Sequence, residues 1–287
     1  MMADVRQRVR LWQETKPFYE DDPRAPGKAA ESRGTEAILS ALMLAWDDAP
    51  SGHLSADTRA ALDHLWSEQL TEGPQRGSWA WLNFGLAPWE LASSQYYGAA
   101  LAALAVGTAP ENYAATPQIQ GRMQLLRDYL QRGYASQPLH HRLLLLWASA
   151  RLPALIEPEQ RQQLVAELLR LQNPDGGWSL SALEPSAPER QLRHDRASDG
   201  YATGLVTLAL EQARIPGMQP TVQRGLAWLR HNQAGHGGLW VWGPEEFWVA
   251  KSLNKNRLLT SNVGRFMSDA ATGYAVLALT EAPGTPR

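Results

Sequence analysis

LLRLQNPDGGW, running from Leu168 to Trp178, sets the reading of the whole chain. A helix-like apolar run ends at Gln172, a Gly-rich turn follows, and Trp178 closes the phrase. The phrase returns as GLAWLRHNQAGHGGLW, Gly225 to Trp240, and in stretched form as ALDHLWSEQLTEGPQRGSW, Ala61 to Trp79. A repeated unit of this size cannot bury its apolar face alone and must stack on its neighbours. A helix stopping at Gln leaves its last carbonyls without partners. Glycine allows the left-handed backbone needed to stop and turn. The Gln amide can then bond the backbone of a neighbouring unit, and the Trp ring can cover the junction, burying ~2–3 kcal/mol of apolar surface. On this reading Trp79, Trp178 and Trp240 hold units together and take no part in chemistry.

The stretches between these turns read as helices of two kinds. Thr35–Leu42 (TEAILSAL), Thr203–Leu210 (TGLVTLAL) and Thr272–Leu279 (TGYAVLAL) share a Thr start and an Ala-Leu end, and Tyr97–Leu104 (YGAALAAL) is a fourth relative. Such Ala-rich helices, apolar nearly all round, belong inside an assembly. A further apolar helix is expected at about Leu139–Leu152. Amphipathic partners fall near Ala56–Leu70, Ile119–Gln131, Pro158–Gln172 and Pro220–Gln233. An N-terminal helix at about Asp4–Glu14 can partner the last inner helix, near Ala270–Leu279. Strand signals are nearly absent. The expected architecture is an all-α, α/α toroid of about five hairpins with an inner and an outer ring. It would form one domain over 1–287, with 283–287 as a frayed tail. Ser179–Ser198 and Gly243–Met267 break the pattern, and long loops in a compact helical domain are more often functional than idle.

Composition narrows the function. The 287 residues carry a formal net charge of -2, so no basic excess offers a footprint for nucleic acid. The absence of cysteine removes disulfides, thiolate ligands and a Cys nucleophile. No run of about 18 apolar residues predicts a transmembrane helix. MMADVRQRVRLWQE lacks an apolar signal core, so the chain as it stands reads as cytoplasmic, or as periplasmic if a signal was removed.

QNPDGGW and GLAWLRHNQ…GGLW resemble the QW repeats of the squalene cyclase family, whose members fold as α/α toroids, and the resemblance spans about Arg33 to Ala282. SRGTEAILSAL, PWELASSQYYGAALAALAVG, SLNKNR and FMSDAATGYAVLALT look like a bacterial squalene-cyclase-like subfamily often attached to a cytochrome c module. That resemblance makes a cytochrome module a candidate partner, although this chain has no Cys-x-x-Cys-His. It also implies an apolar or isoprenoid-like ligand and a cyclase-like isomerase or lyase activity, with no cofactor.

The family's acid motif, Asp-x-Asp-Asp-Thr-Ala, tests that implication. Placing Thr203 at the family Thr sets Asp199, Gly200, Tyr201 and Ala202 before it. The first Asp stays, but the proton-donating middle Asp is replaced by Tyr201, and a phenol of pKa near 10 cannot protonate an alkene. Before Thr272 stand Ser268, Asp269, Ala270 and Ala271. The diphosphate motif Asp-Asp-x-x-Asp is missing, and the zinc site of the protein prenyltransferases needs a Cys.

In a toroid the starts of the inner helices converge on one mouth. Residues expected there are Arg33, Thr35 and Glu36; Gln95, Tyr96 and Tyr97; His140 and His141; Asp195, Asp199 and Tyr201; and Asp269 and Thr272. Trp242, Lys251, Asn254, Lys255 and Arg257 could fold over them from the second loop. Asp199, Asp269, Glu36, Asp195 and Tyr201 are the candidate catalytic set, and the aromatic and basic residues with His140 are the candidate ligand contacts. Converging helix starts and these bases would suit an anionic group. Each residue has a plainer role open to it. Asp199 and Asp269 can be N-caps, the tyrosines core residues with bonded hydroxyls, and the bases solvated. His140 and His141 are adjacent, so their rings should diverge and not share a metal. Three functions remain open: an enzyme on an isoprenoid-like substrate, a non-catalytic binding or scaffolding toroid, and a polysaccharide-acting toroid.

Overall fold

A computed structural model describes residues 1–184, 196–235 and 246–281. These residues are all-α apart from a two-residue antiparallel ladder, Ala234–Gly235 against Glu246–Phe247. They fall into two compact units.

The first unit comprises Met1–Gly85, Trp89–Gln137 and Arg151–Ile156. Its helices are α1 (Met2–Arg10), α2 (Lys28–Asp48), α3 (Ala56–Ser67), α4 (Gln95–Thr108) and α5 (Gln120–Gly133). α2 packs on α3 and α4, α4 on α5, and α1 on both α2 and α3. α4 is buried along nearly its whole length, with Ala99, Ala100, Ala102, Ala103 and Ala105 sealed from solvent. α5 buries only the stripe Met123, Leu126 and Leu130. The two helix kinds expected from the sequence are therefore both present.

The second unit comprises Leu86–Pro88, Pro138–Ala150 and Glu157 onward. It holds α6 (Leu139–Ser149), α7 (Pro158–Arg170), the single turn α8 (Leu180–Leu183), α9 (Gly200–Ala213), α10 (Gln219–His231) and α11 (Asn262–Glu281). α9 is the hub, packed on α6, α10 and α11, while α7 lies on α6. Gly204 of α9 lets the two backbones meet, because a Cβ there would stand 2.7 Å from the Ala275 nitrogen of α11.

The repeated phrase builds the same junction in each unit. Gln172 donates from one amide to the carbonyls of Gly176 at 2.9 Å and Thr221 at 3.0 Å. Gln69 does the same to Gly77 at 3.2 Å and Arg122 at 3.1 Å. Each Gln thus ties its own turn to the first turns of the next amphipathic helix. The indole N–H of Trp178 reaches back to the Leu168 carbonyl at 2.9 Å, and that of Trp79 to Leu65 at 2.6 Å. Both acceptors lie four residues before the Gln. The third copy departs from expectation. There the indole that reaches back is Trp248, bonded to the Leu229 carbonyl at 2.9 Å, again four residues before Gln233. Trp240 lies outside the described residues.

Two helices begin earlier than the Thr-to-Leu match suggests. α2 starts at Lys28, where Asp21 accepts the Ala29 N–H at 2.9 Å. α11 starts at Asn262, where the Ser261 hydroxyl accepts the Gly264 N–H at 3.0 Å. A Ser hydroxyl at that place satisfies an otherwise orphaned amide, so Asn262–Met267, read from sequence as loop, is helix. Arg33, Thr35, Glu36, Asp269 and Thr272 are consequently inside helices rather than just before them.

Candidate functional site

The second unit carries a cleft of about 290 Å³ between the α8 turn, the start of α9, α10 and the segment after Phe247. Asp199, Lys251 and Arg257, far apart in sequence, line it together with Ser179, Ser181, Ser198 and Asn232. Leu180, Trp228, Val249 and Leu253 supply its apolar wall. Asp199 is the N-cap of α9: Oδ1 accepts the Ala202 N–H at 2.9 Å, while Oδ2 accepts the Leu180 N–H at 2.6 Å. One carboxylate thereby holds both the helix start and the α8 turn in place. Beside it, burial works to raise the Asp175 carboxyl, but the Gly177 N–H, the Ser198 hydroxyl and the Trp228 indole together hold it below its ordinary value. Lys251 and Lys255 are exposed. Asn254 is used structurally, its Oδ1 accepting the Ala87 N–H at 3.1 Å.

Tyr201 does not face this cleft's lining. It is sealed from solvent, and its hydroxyl meets His140 Nε2 at 2.7 Å. The Tyr201 ring stacks on His140 and meets Tyr274 edge-on, with centroids 5.7 and 5.2 Å apart. His140 and His141 do not diverge as adjacent helical residues are expected to. Their ring centroids are 5.4 Å apart, and each offers a donor atom within 4.8 Å of the Glu184 carboxylate and of the other. Side chains as long as histidine can lean together at the first turn of a helix, and Glu184 comes from a separate segment that spacing alone does not connect. Burial pushes both imidazoles down, His141 to about 4 and His140 well below its ordinary value, so both are neutral at pH 7.

Asp269 and Thr272 are not part of the cleft lining. Asp269 is exposed in the interior of α11, its carboxyl raised by partial desolvation. Thr272 has a structural role, accepting the Trp248 N–H at 3.1 Å, as Thr203 accepts that of Trp178 at 3.0 Å. Asp195 and Trp242 lie outside the described residues.

In the first unit, Glu36 borders a groove of about 550 Å³ with Phe18, Tyr19, Leu39 and Met43. Its carboxylate is held by Arg8 at 2.5 and 3.0 Å and lies 3.6 Å from Arg33. The hydrogen bond to Glu36 raises Arg8 further above its ordinary value. The Arg33 guanidinium sits 4.5 Å over the Trp12 ring and donates to the Thr15 carbonyl. Two guanidinium groups therefore occupy the Glu36 carboxylate. Tyr96 is a core residue whose hydroxyl donates to the Leu130 carbonyl at 2.9 Å. Tyr97 is buried edge-on against Trp81, and Gln95 opens α4.

Sequence reasoning passed over Glu184 and Trp248. Glu184 gives no local signal. Trp248 gives one: it precedes Thr272 by 24 residues, nearly the 25 that separate Trp178 from Thr203. A scan against protein-family models finds no match to the chain, and a search of curated proteins finds none either. The class of the protein is thus set by its architecture, which is all-α.

Proposed function

We propose that the chain is a squalene-cyclase-like α/α toroid that binds an apolar or isoprenoid-like ligand through an anionic group and does not protonate it. The observation that carries this reading is the state of the acid slot. The motif position that would hold the proton donor is Tyr201, buried and hydrogen-bonded to His140. The surviving motif acid, Asp199, spends both oxygens on backbone N–H groups. Those bonds commit Asp199 to holding the α8 turn and the start of α9. The Gln–Trp junctions and the helix hairpins of each unit support the toroid. Lys251 and Arg257, beside a wall of serines, support the anionic group.

Calorimetric titration tests this with farnesyl monophosphate against farnesol. The phosphate should bind at least tenfold tighter, a gap that narrows as salt is raised. The double variant Lys251→Ala, Arg257→Ala should remove most of that preference, each charge-assisted bond being worth roughly 1.5–3 kcal/mol before screening. Equal affinity for phosphate and alcohol would refute the anionic contact. A cyclic product from squalene or oxidosqualene, seen by gas chromatography with mass detection, would refute the loss of acid chemistry.

A further inference from the structure

The geometry points to a metal site in the second unit, in which His140, His141 and Glu184 hold a divalent first-row transition ion of the zinc class. This inference does not depend on the ligand reading above. Two imidazoles and one carboxylate form a donor set suited to zinc or ferrous iron, and they leave coordination positions for water. One donor atom from each residue lies within 4.8 Å of the others. Metal bonds of about 2.0–2.2 Å would draw those atoms to roughly 3–3.5 Å apart, a closure that side-chain rotation can supply.

Burial makes the case stronger than proximity alone. His140 and His141 have no exposed surface, and Glu184 is 3% exposed. Their chain neighbours Leu139, Leu143 and Leu183 are buried too. A carboxylate in such surroundings is costly unless an opposing charge accompanies it. A divalent cation held by the three side chains would bring positive charge to the Glu184 carboxylate, and imidazole nitrogen is a common ligand for ions of this class. Tyr201 adds the outer contact typical of metal-bound histidine: its hydroxyl on His140 Nε2 fixes the plane of that ring. The arrangement also gives Tyr201 a use at the motif position where an acid is missing.

The site joins two segments. His140 and His141 open α6, and Glu184 follows the α8 turn whose residues Leu180 and Ser181 line the Asp199 cleft. Metal binding would anchor the end of that turn from below while Asp199 anchors its start.

The test uses the full chain, free of any affinity tag, stripped with chelator and then dialysed against Zn²⁺ or Co²⁺. One equivalent of metal should survive gel filtration, by plasma mass spectrometry. The Co²⁺ form should show visible d–d absorption, and Zn²⁺ should raise the thermal midpoint of the stripped protein. Glu184→Gln and His141→Gln should abolish retention, and Tyr201→Phe should weaken Zn²⁺ affinity roughly 10–100-fold. If a variant fails to fold, the unaltered chain still decides. No rise in its midpoint and retention below about a tenth of an equivalent for both ions would overturn the proposal and leave a proton shared between Glu184 and the histidine pair. Retention unchanged in Glu184→Gln would also overturn it, by tracing the metal to surface histidines.

Discussion

Gln172 shows how one side chain can specify a junction. A single amide N–H₂ donates to the Gly176 carbonyl of its own turn and to the Thr221 carbonyl in the first turn of α10, joining two separate segments. Replacing it with Leu should lower unfolding free energy by about 1–3 kcal/mol, through the Gly176 carbonyl left unmet and the lost tie to α10. Urea titration followed by circular dichroism measures this; a loss within error would remove Gln172 from the account of the fold. Trp248→Phe should cost a similar amount through the indole bond to Leu229, whereas a Trp240 junction would predict no such effect. At this scale the sequence is a fair guide to Gln, which stands four residues after the carbonyl that each indole reaches, and a weaker guide to Trp, whose distance from that carbonyl varies. It is a poor guide to Glu184, whose partners lie more than forty positions upstream and belong to a separate helix.

At the scale of the element, the turns that follow Gln69 and Gln172 are each constrained twice over. Gly77 has φ +98, and a Cβ on it would lie 2.1 Å from the Leu125 carbonyl oxygen of α5. Gly176 has φ +94, with the Arg224 carbonyl oxygen of α10 2.8 Å away. By contrast Gly217 has φ +80 and open space around it. Gly217→Ala should therefore cost only about 1 kcal/mol, the conformational penalty alone. Gly77→Ala must also move a backbone, so it should cost several times that or prevent folding. Paired denaturation curves check the order, and equal losses would mean that the α5 approach is not tight. Helix existence was legible here from apolar periodicity, as in α9 and α10. Helix starts were less so. α11 extends back to a Ser261 cap because the chain N-terminal to the apolar stripe still finds partners for its amides.

For the molecule as a whole, solution pH should act through Glu211. Burial first, and the Glu281 charge second, push its carboxyl from an ordinary 4.5 up to about 8, with Arg230 opposing. Neither Glu211 oxygen has a hydrogen-bond partner among the described residues. The native state therefore keeps a proton that the unfolded chain has already released. This contribution is complete below pH 4.5 and is lost as pH rises through about 8. After screening at a partly exposed site, the loss is on the order of 1–2 kcal/mol. Thermal midpoints should fall over that interval, and Glu211→Gln should flatten the fall and be the more stable form at its alkaline end. An unchanged profile in that variant would place the pH response elsewhere.

What the sequence settled by itself is whatever recurs along the chain: helices of two kinds, their order, and the Gln at the close of the outer ones, all of which follow from local periodicity and the needs of helix ends. What only the tertiary structure decided is who meets whom across distant segments. Asp199 gathers the α8 turn and α9, and Glu36 is taken up by Arg8 and Arg33. Adjacent histidines close on Glu184, and Trp248 does the work expected of Trp240. Those meetings depend on side-chain reach and on the burial of charge after the helices have packed, and neither quantity is written in the spacing of residues.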